Sequence, residues 1–400
     1  MKARVFGLVV ALLIVVVLPA GAAPEVAVDK SDNVKAVAHI PYEGGSELAF
    51  DGNLVYAGQF NGKFNRGEIR EQGGAFIIDI GKKKPKAVGY APCPGDDADV
   101  ATAGRRLLAI SYNQPPLCDP TSNIVLFDTS NPRRPKQLGG IQAAGGAHTI
   151  TPYPGKPLIY SSPGGLGSQA ESIIDVSNPK KPVLAATFNA PPLGCHDWSF
   201  HITKDEKLGF CAGGGQVSIW DVSDPLAPSR ISVIVNPLVE FPHYALASPD
   251  GDLLVIDDEA FAGHECVSGQ SPTGAAFFYD ISNPTLPVPV GRFAPKRGSQ
   301  PVGVYGDVGP VNGWADSWCT SHHFNFVPGT RNLVISWFSG GSSVLDLTNP
   351  SLPEEIAYYH PEDAVAWTAH WYNGYVLIND MARGFEMLQV KGLKEAKKKS

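Results

Sequence analysis

The sequence predicts an all-β fold: a seven-bladed β-propeller whose ring is closed by the N-terminal strand pairing into the last blade. Two observations predict it. The first is a recurring phrase, an apolar pair, an Asp and a short turn ending in Pro. Its copies are IIDI ending at Ile80, LFDTSNP at 126–132, IIDVSNP at 173–179, IWDVSDP at 219–225, FYDISNP at 278–284 and VLDLTNP at 344–350. Their aspartates, Asp79, Asp128, Asp175, Asp221, Asp280 and Asp346, are spaced by 49, 47, 46, 59 and 66 residues. A worn copy, EMLQV, puts Gln389 at the Asp position 43 residues later. A period of about 40–50 residues built from short β-type runs marks propeller blades. The second observation is an unpartnered strand at the N-terminus. The last repeat has no fourth strand of its own, and NVKAVAHIPY at 33–42 reads as a fourth strand with no first three before it. Joining the two removes the free sheet edges.

Within each repeat a first strand begins near a polar residue, and a turn rich in Gly, Pro or Asp leads into an apolar second strand. These second strands are Leu54–Ala57, Leu107–Ile110, Leu158–Ser161, Leu208–Cys211, Leu253–Ile256, Leu333–Ser336 and Val376–Ile378. The third strand carries the Asp motif. The Asn/Asp-Pro step then turns into the fourth strand, because Asn and Asp fold back on their own backbone and Pro fixes φ. The motif aspartates are accordingly expected to cap turns.

The ends of the chain are of a different kind. Lys2 and Arg4, an apolar run from Val5 to Leu18 and Pro19-Ala20-Gly21-Ala22 read as a signal peptide over residues 1–22. The run is short for a membrane span and no second one follows. The expected mature protein is secreted or periplasmic, monomeric, and carries a net charge of about −9 once the two cations leave. No basic patch remains to bind nucleic acid, apart from a Lys-rich tail, residues 391–400, expected to be frayed. The propeller is assigned to residues 33–390. Six cysteines in an exported chain point to disulfides, and the blade layout pairs Cys93 with Cys118, Cys195 with Cys211, and Cys266 with Cys319. Two linkers exceed the pattern, 259–276 and 295–321, and the second is expected to cover one face of the ring.

The apolar-apolar-Asp-x-Ser-Asn-Pro unit resembles that of the LVIVD-repeat proteins, a group of exported bacterial propellers, over about residues 33–390. GCHDWSFH at 194–201, SHHFNFVPG at 321–329, WFSGGSSVLDLTNP at 337–350, AHWYNG and MARGFE look like landmarks of that family. The resemblance implies a propeller and brings almost no biochemical function.

Function must come from the repeats themselves. Five consecutive repeats offer a histidine near the start of the first strand: His148, His196, His243, His322 and His370, where the first two repeats offer Glu47 and Asp99. The chain holds only 10 His, so half of them at one repeat position is a signal. First strands are innermost, so these seven side chains are expected to ring one mouth of the axial channel. Imidazole with carboxylate is a ligand set for a transition metal such as Cu, Fe, Mn or Zn. The predicted ligands are His148, His196, His243, His322, His370 and Glu47. Asp99, Asp197, Glu259, Trp371 and Trp318 are placed behind them, to orient ligands or hold substrate. Trp198, Trp367 and Trp371 are expected to wall the mouth, and only one of His322 and His323 to reach the axis, since adjacent strand residues face opposite ways. Asp257 and Asp258 are candidates for Ca²⁺ or for supporting a His, and Asp380 for orienting an imidazole. The function expected is metal-dependent oxidative or hydrolytic chemistry on a small organic substrate. The alternative is a non-catalytic propeller that binds an extracellular protein, with each His bonded structurally to an Asp of its own blade.

Overall fold

The computed structural model describes residues 26–60, 73–81, 84–95, 99–164, 167–259, 274–297 and 319–396. The expected signal peptide, Trp318, Cys266 and most of the two long linkers lie outside them. No helix occurs among the described residues, so none is long and apolar enough to cross a membrane. The described residues form seven antiparallel sheets, with strands in sequence order from the axis outward except for the N-terminal strands that complete the last two. The innermost strands are Gly45–Asp51, Asp99–Thr102, Thr149–Pro152, Asp197–Ile202, Ala245–Ala247, Phe324–Phe326 and Ala366–Tyr372. Every second strand foreseen in the sequence is present.

Closure occurs as expected. Val34–Pro41 lies antiparallel to Gly384–Val390 and becomes the outermost strand of the seventh blade. A feature not foreseen is one step earlier in the chain. Val28–Lys30 pairs with Tyr359–Pro361 and adds a fifth strand to the sixth blade, so the N-terminal segment ties two neighbouring blades together.

The repeated aspartates do what a turn needs. Asp128, Asp175, Asp221, Asp280 and Asp346 each accept, through Oδ1, a hydrogen bond from the backbone N–H two residues on, at 2.7–2.9 Å. Asn131, Asn178, Asp224 and Asn283 repeat the device inside the following turn. Immediately after this turn every blade has a β-bulge between its third and fourth strands, for example between Ile173 and Ile174 and between Phe278 and Tyr279. Bulges sharpen the local twist. They set up the contact with the neighbouring blade: a Cβ at Gly89 would collide with Pro132 O, and one at Gly291 with Pro350 O. Glycine in these fourth strands lets the next blade's Pro turn dock.

Between blades the core is apolar and continuous, as in the cluster of Phe210, Ile219, Leu254 and Phe277 shared by blades four and five. Nearer the axis, hydroxyls join neighbouring innermost strands: Thr149 donates to His196 O, Thr151 to Trp198 O and Ser199 to Ala245 O. These bonds fix the innermost strands of blades three, four and five relative to one another, which helps to position the axial side chains there. Disulfides join Cys93 to Cys118 and Cys195 to Cys211.

The start of the expected frayed tail is held instead. Lys391 N donates to Asn33 O, Ala396 N to Pro328 O, and Leu393 packs against the core between the last two blades. An apolar Leu amid the lysines supplies the anchor that charge counting overlooks.

Candidate functional site

Four histidines sit just ahead of the innermost strands of blades three to six, where the chain crosses the mouth of the channel. His148, His196, His243 and His322 follow one another in an arc, with ring centroids 4.4, 4.0 and 4.1 Å apart in turn. The last three are buried and His148 is half-buried.

In each ring Nδ1 faces an oxygen. His148 Nδ1 meets Asn113 Oδ1 at 2.9 Å, His196 Nδ1 meets Asp197 Oδ2 at 3.2 Å, and His322 Nδ1 meets Trp367 O at 2.6 Å. His243 Nδ1 lies 3.3 Å from Asp257 Oδ2, short of full hydrogen-bond alignment. The Asp197 carboxylate and the Trp367 carbonyl can only accept, so the ring protons of His196 and His322 belong on Nδ1 and their Nε2 lone pairs are left free. Those Nε2 atoms point at one another or at Glu259. His148 Nε2 and His196 Nε2 are 2.8 Å apart. Glu259 places Oε2 3.7 Å from His243 Nε2 and Oε1 3.6 Å from His322 Nε2. His322 Nε2 is buried without a hydrogen-bond partner.

Burial, and then the neighbouring imidazoles, keep His196, His243 and His322 neutral. His196 is held down to about 4, chiefly by burial and then by His148, and His243 and His322 lie well below the ordinary value for the same reasons. Neutral imidazole with an inward lone pair is the form that binds a transition metal, and an oxygen on the far nitrogen is how metal-ligating histidines are oriented. Ligand atoms of His196, His243 and Glu259 all lie within 4.8 Å of one another, as do those of His243, His322 and His323.

Below the arc is a second level. Asp197 Oδ2, already bonded to His196, also lies 3.2 Å from His323 Nε2, which in turn lies 3.2 Å from Glu47 Oε1. Burial opposes a charge on His323, but the bond to Asp197 and the fields of Asp197 and Asp257 outweigh it and raise its pKa. Burial likewise works against charge on Asp197, yet bonds from His196 and His323 hold its pKa well below the usual carboxylate value. His323 and Asp197 thus favour each other's charged forms, beneath the neutral rings of His196, His243 and His322. Asp99 is pushed well above its ordinary value by burial, then by Glu47 and Asp197, and accepts Ile150 N–H.

The expected single ring is therefore split. Both His322 and His323 reach the axis, because they precede the regular strand Phe324–Phe326 and the pleat does not alternate them. His370 is not at a strand start. It is the fifth residue of Ala366–Tyr372 and joins Glu47 and His323 on the lower level, their ligand atoms within 4.8 Å of one another. The register of the seventh blade, with Ala366 rather than His370 opposite Asp380, accounts for the shift.

Among the described tryptophans, only Trp367 stands at the mouth, its ring 4.5 Å from His322. Trp371 is buried in the core between blades six and seven and Trp198 donates to Glu171, so neither forms the wall expected of it. Phe241, Phe338 and Phe60 take that place, beside His196, His322 and Trp367 respectively. Asp380 does not orient an imidazole; it accepts the backbone N–H groups of Val365, Ala382 and Arg383. Asp258 likewise accepts Glu240, Phe241 and Gly274 N–H and shapes the loop behind Glu259.

With this geometry in view, the LVIVD repeat family model matches residues 172–190, the third blade's motif and fourth strand. The chain carries an LVIVD repeat. No curated protein matches it. Similar solved structures include a putative 6-phosphogluconolactonase from Bacteroides fragilis, 14% identical with a TM-score of 0.56, covering 78% of this chain and 83% of that one. A protein from Lactobacillus plantarum is 13% identical with a TM-score of 0.55, covering 80% and 86%. Saccharomyces cerevisiae Sqt1 is 8% identical with a TM-score of 0.52, covering 88% and 86%. At these identities the likeness is one of fold alone.

Proposed function

We propose that the arc of His148, His196, His243 and His322 binds one transition-metal ion at its centre, on His196, His243 and Glu259 with the other two rings flanking them, and that the protein uses it on a small, largely apolar organic substrate. One observation carries the reading: four successive imidazoles each turn Nδ1 to an oxygen and leave Nε2 facing inward. Two nitrogens at the 2.8 Å separation of His148 and His196 must share either a proton or a metal ion. A structural histidine would be expected to use both nitrogens, and His322 Nε2 uses none.

A bound metal supplies Lewis-acid or redox chemistry. The chain supplies the rest. Asp197, Asp257 and Trp367 O hold the rings in register. Phe241, Phe338 and Trp367 form an apolar wall that favours an aromatic or aliphatic substrate and excludes water. Glu259, between His243 and His322, is placed to complete the ligand set or accept a proton from the substrate. A His-rich set suits Cu or Fe, which favours oxidative over hydrolytic chemistry.

The test is elemental analysis of protein purified from its native compartment without a histidine tag. The expected result is about one equivalent of Cu, Fe, Mn or Zn, lost in His196→Ala and His243→Ala with folding retained. A protein that stays metal-free after reconstitution refutes the reading.

A further inference from the structure

The channel has a second mouth, at the opposite ends of the innermost strands. A cavity of about 410 Å³ opens there between Phe50 and Thr102 and reaches inward to Asp197. Its depth holds three buried carboxylates, Glu47, Asp99 and Asp197, together with His323 and His370. No lysine or arginine lines it. Only His323, wedged 3.2 Å from both Glu47 and Asp197, is placed to offset the negative charge. A low-dielectric pocket with unbalanced carboxylates focuses its field on cations and repels anions.

His370 adds a different signal. It faces the cavity, yet among the described residues neither of its ring nitrogens makes a hydrogen bond, and its neighbour is the edge of Phe50. Its ligand atom lies within 4.8 Å of those of Glu47 and His323. That spacing fits groups gathered around a single small cation. The path also continues. Asp197, at the inner end of the cavity, is 3.2 Å from His196 Nδ1 and 3.7 Å from His243 Nε2, two members of the arc.

We propose that this cavity is the loading port of the metal centre: a divalent transition-metal ion enters at the mouth opposite the aromatic wall, docks on His370 and Glu47, and passes Asp197 to reach the arc. The proposal rests on the arc being a metal site. It gives the two ends of the propeller separate tasks, one admitting the ion and the other the organic substrate. It also accounts for a set of carboxylates and imidazoles buried beyond the reach of a substrate held at the aromatic wall.

The experiment follows uptake of Co²⁺ by the metal-free full-length protein, from its ligand-field absorbance after rapid mixing. The variants are His370→Gln, Glu47→Gln and Thr102→Trp, the last a plug at the mouth that touches no ligand, with Leu193→Ala, an exposed loop residue on the side of the arc, as control. The expected result is about one equivalent bound at completion in wild type and Thr102→Trp. Uptake should be about tenfold slower in Thr102→Trp, His370→Gln and Glu47→Gln, and unchanged in Leu193→Ala. Full uptake at the wild-type rate in Thr102→Trp and His370→Gln overturns the port and leaves the arc intact. Failure of wild type itself to bind Co²⁺ removes the arc and the port together. Thr102→Trp decides the matter if a buried substitution fails to fold.

Discussion

Aspartates at the rim and aspartates at the axis are the same residue put to opposite uses. Asp128, Asp221 and Asp280 are at or near the surface, and each accepts a bond from its own turn, which lowers its pKa. Asp197 is buried and shared by histidines of three blades, His196, His243 and His323. The first kind is a local device copied with the repeat. The second depends on seven blades meeting, and no single repeat contains it. Repetition therefore reports the scaffold faithfully, whereas chemistry sits where copies have diverged to face one another.

If that division is right, rim and axis respond differently to change. The largest effect is expected from deleting residues 24–42, which removes the outer strand of the seventh blade and the fifth strand of the sixth. Calorimetry should show a melting point lower by about 10 °C or more, or no cooperative transition. An unaltered melting point would mean that the ring does not depend on its N-terminal closure.

The axis should reveal itself through pH. Burial, and then His323, lower the pKa of His370 from 6.5 to about 3. A histidine that resists charging in the folded state contributes stability in full above about pH 6.5, and loses it as pH falls toward 3. Its share is on the order of 3 kcal/mol after allowance for partial exposure. In the metal-free protein, His370→Gln should flatten the loss of stability across that window, measured by urea unfolding at several pH values. An unchanged pH profile would mean that the lower level does not feel the burial described.

Smaller effects belong to the rim. Gly291→Val drives a side chain into Pro350 O and should cost about 2 kcal/mol in urea. Asp221→Ala removes the bond to Ser223 N and should cost about 1 kcal/mol. Both should leave metal content unaltered, and a rim substitution that emptied the metal site would break the division between rim and axis.

The scaffold was legible because its signals are local. An apolar pair, an Asp and an Asn-Pro turn predict a third strand, its cap and the step to the fourth without knowledge of anything distant. The closing strand was legible as an unpaired remainder. The axial histidines were legible as a repeated position, but not their heights. His370 misled because a first strand has no fixed start when its turn changes length, and the seventh blade shifts its register by several residues. His323 was discounted by a pleat rule that holds inside strands and fails just before them. The central place of Asp197 is hidden in the sequence because contacts among blades four, five and six are invisible in any one repeat. The small fourth-strand residues Gly89 and Gly291 offered a signal that went unread, since each stands where the next blade's Pro turn arrives.

The central claim is tested most directly by anomalous diffraction from crystals of the metal-free protein soaked in Co²⁺. The account predicts a principal peak at the centre of the arc, on His196, His243 and Glu259 and flanked by His148 and His322. Crystals of the folded protein with no peak there, or with metal bound only at the rim, would contradict it.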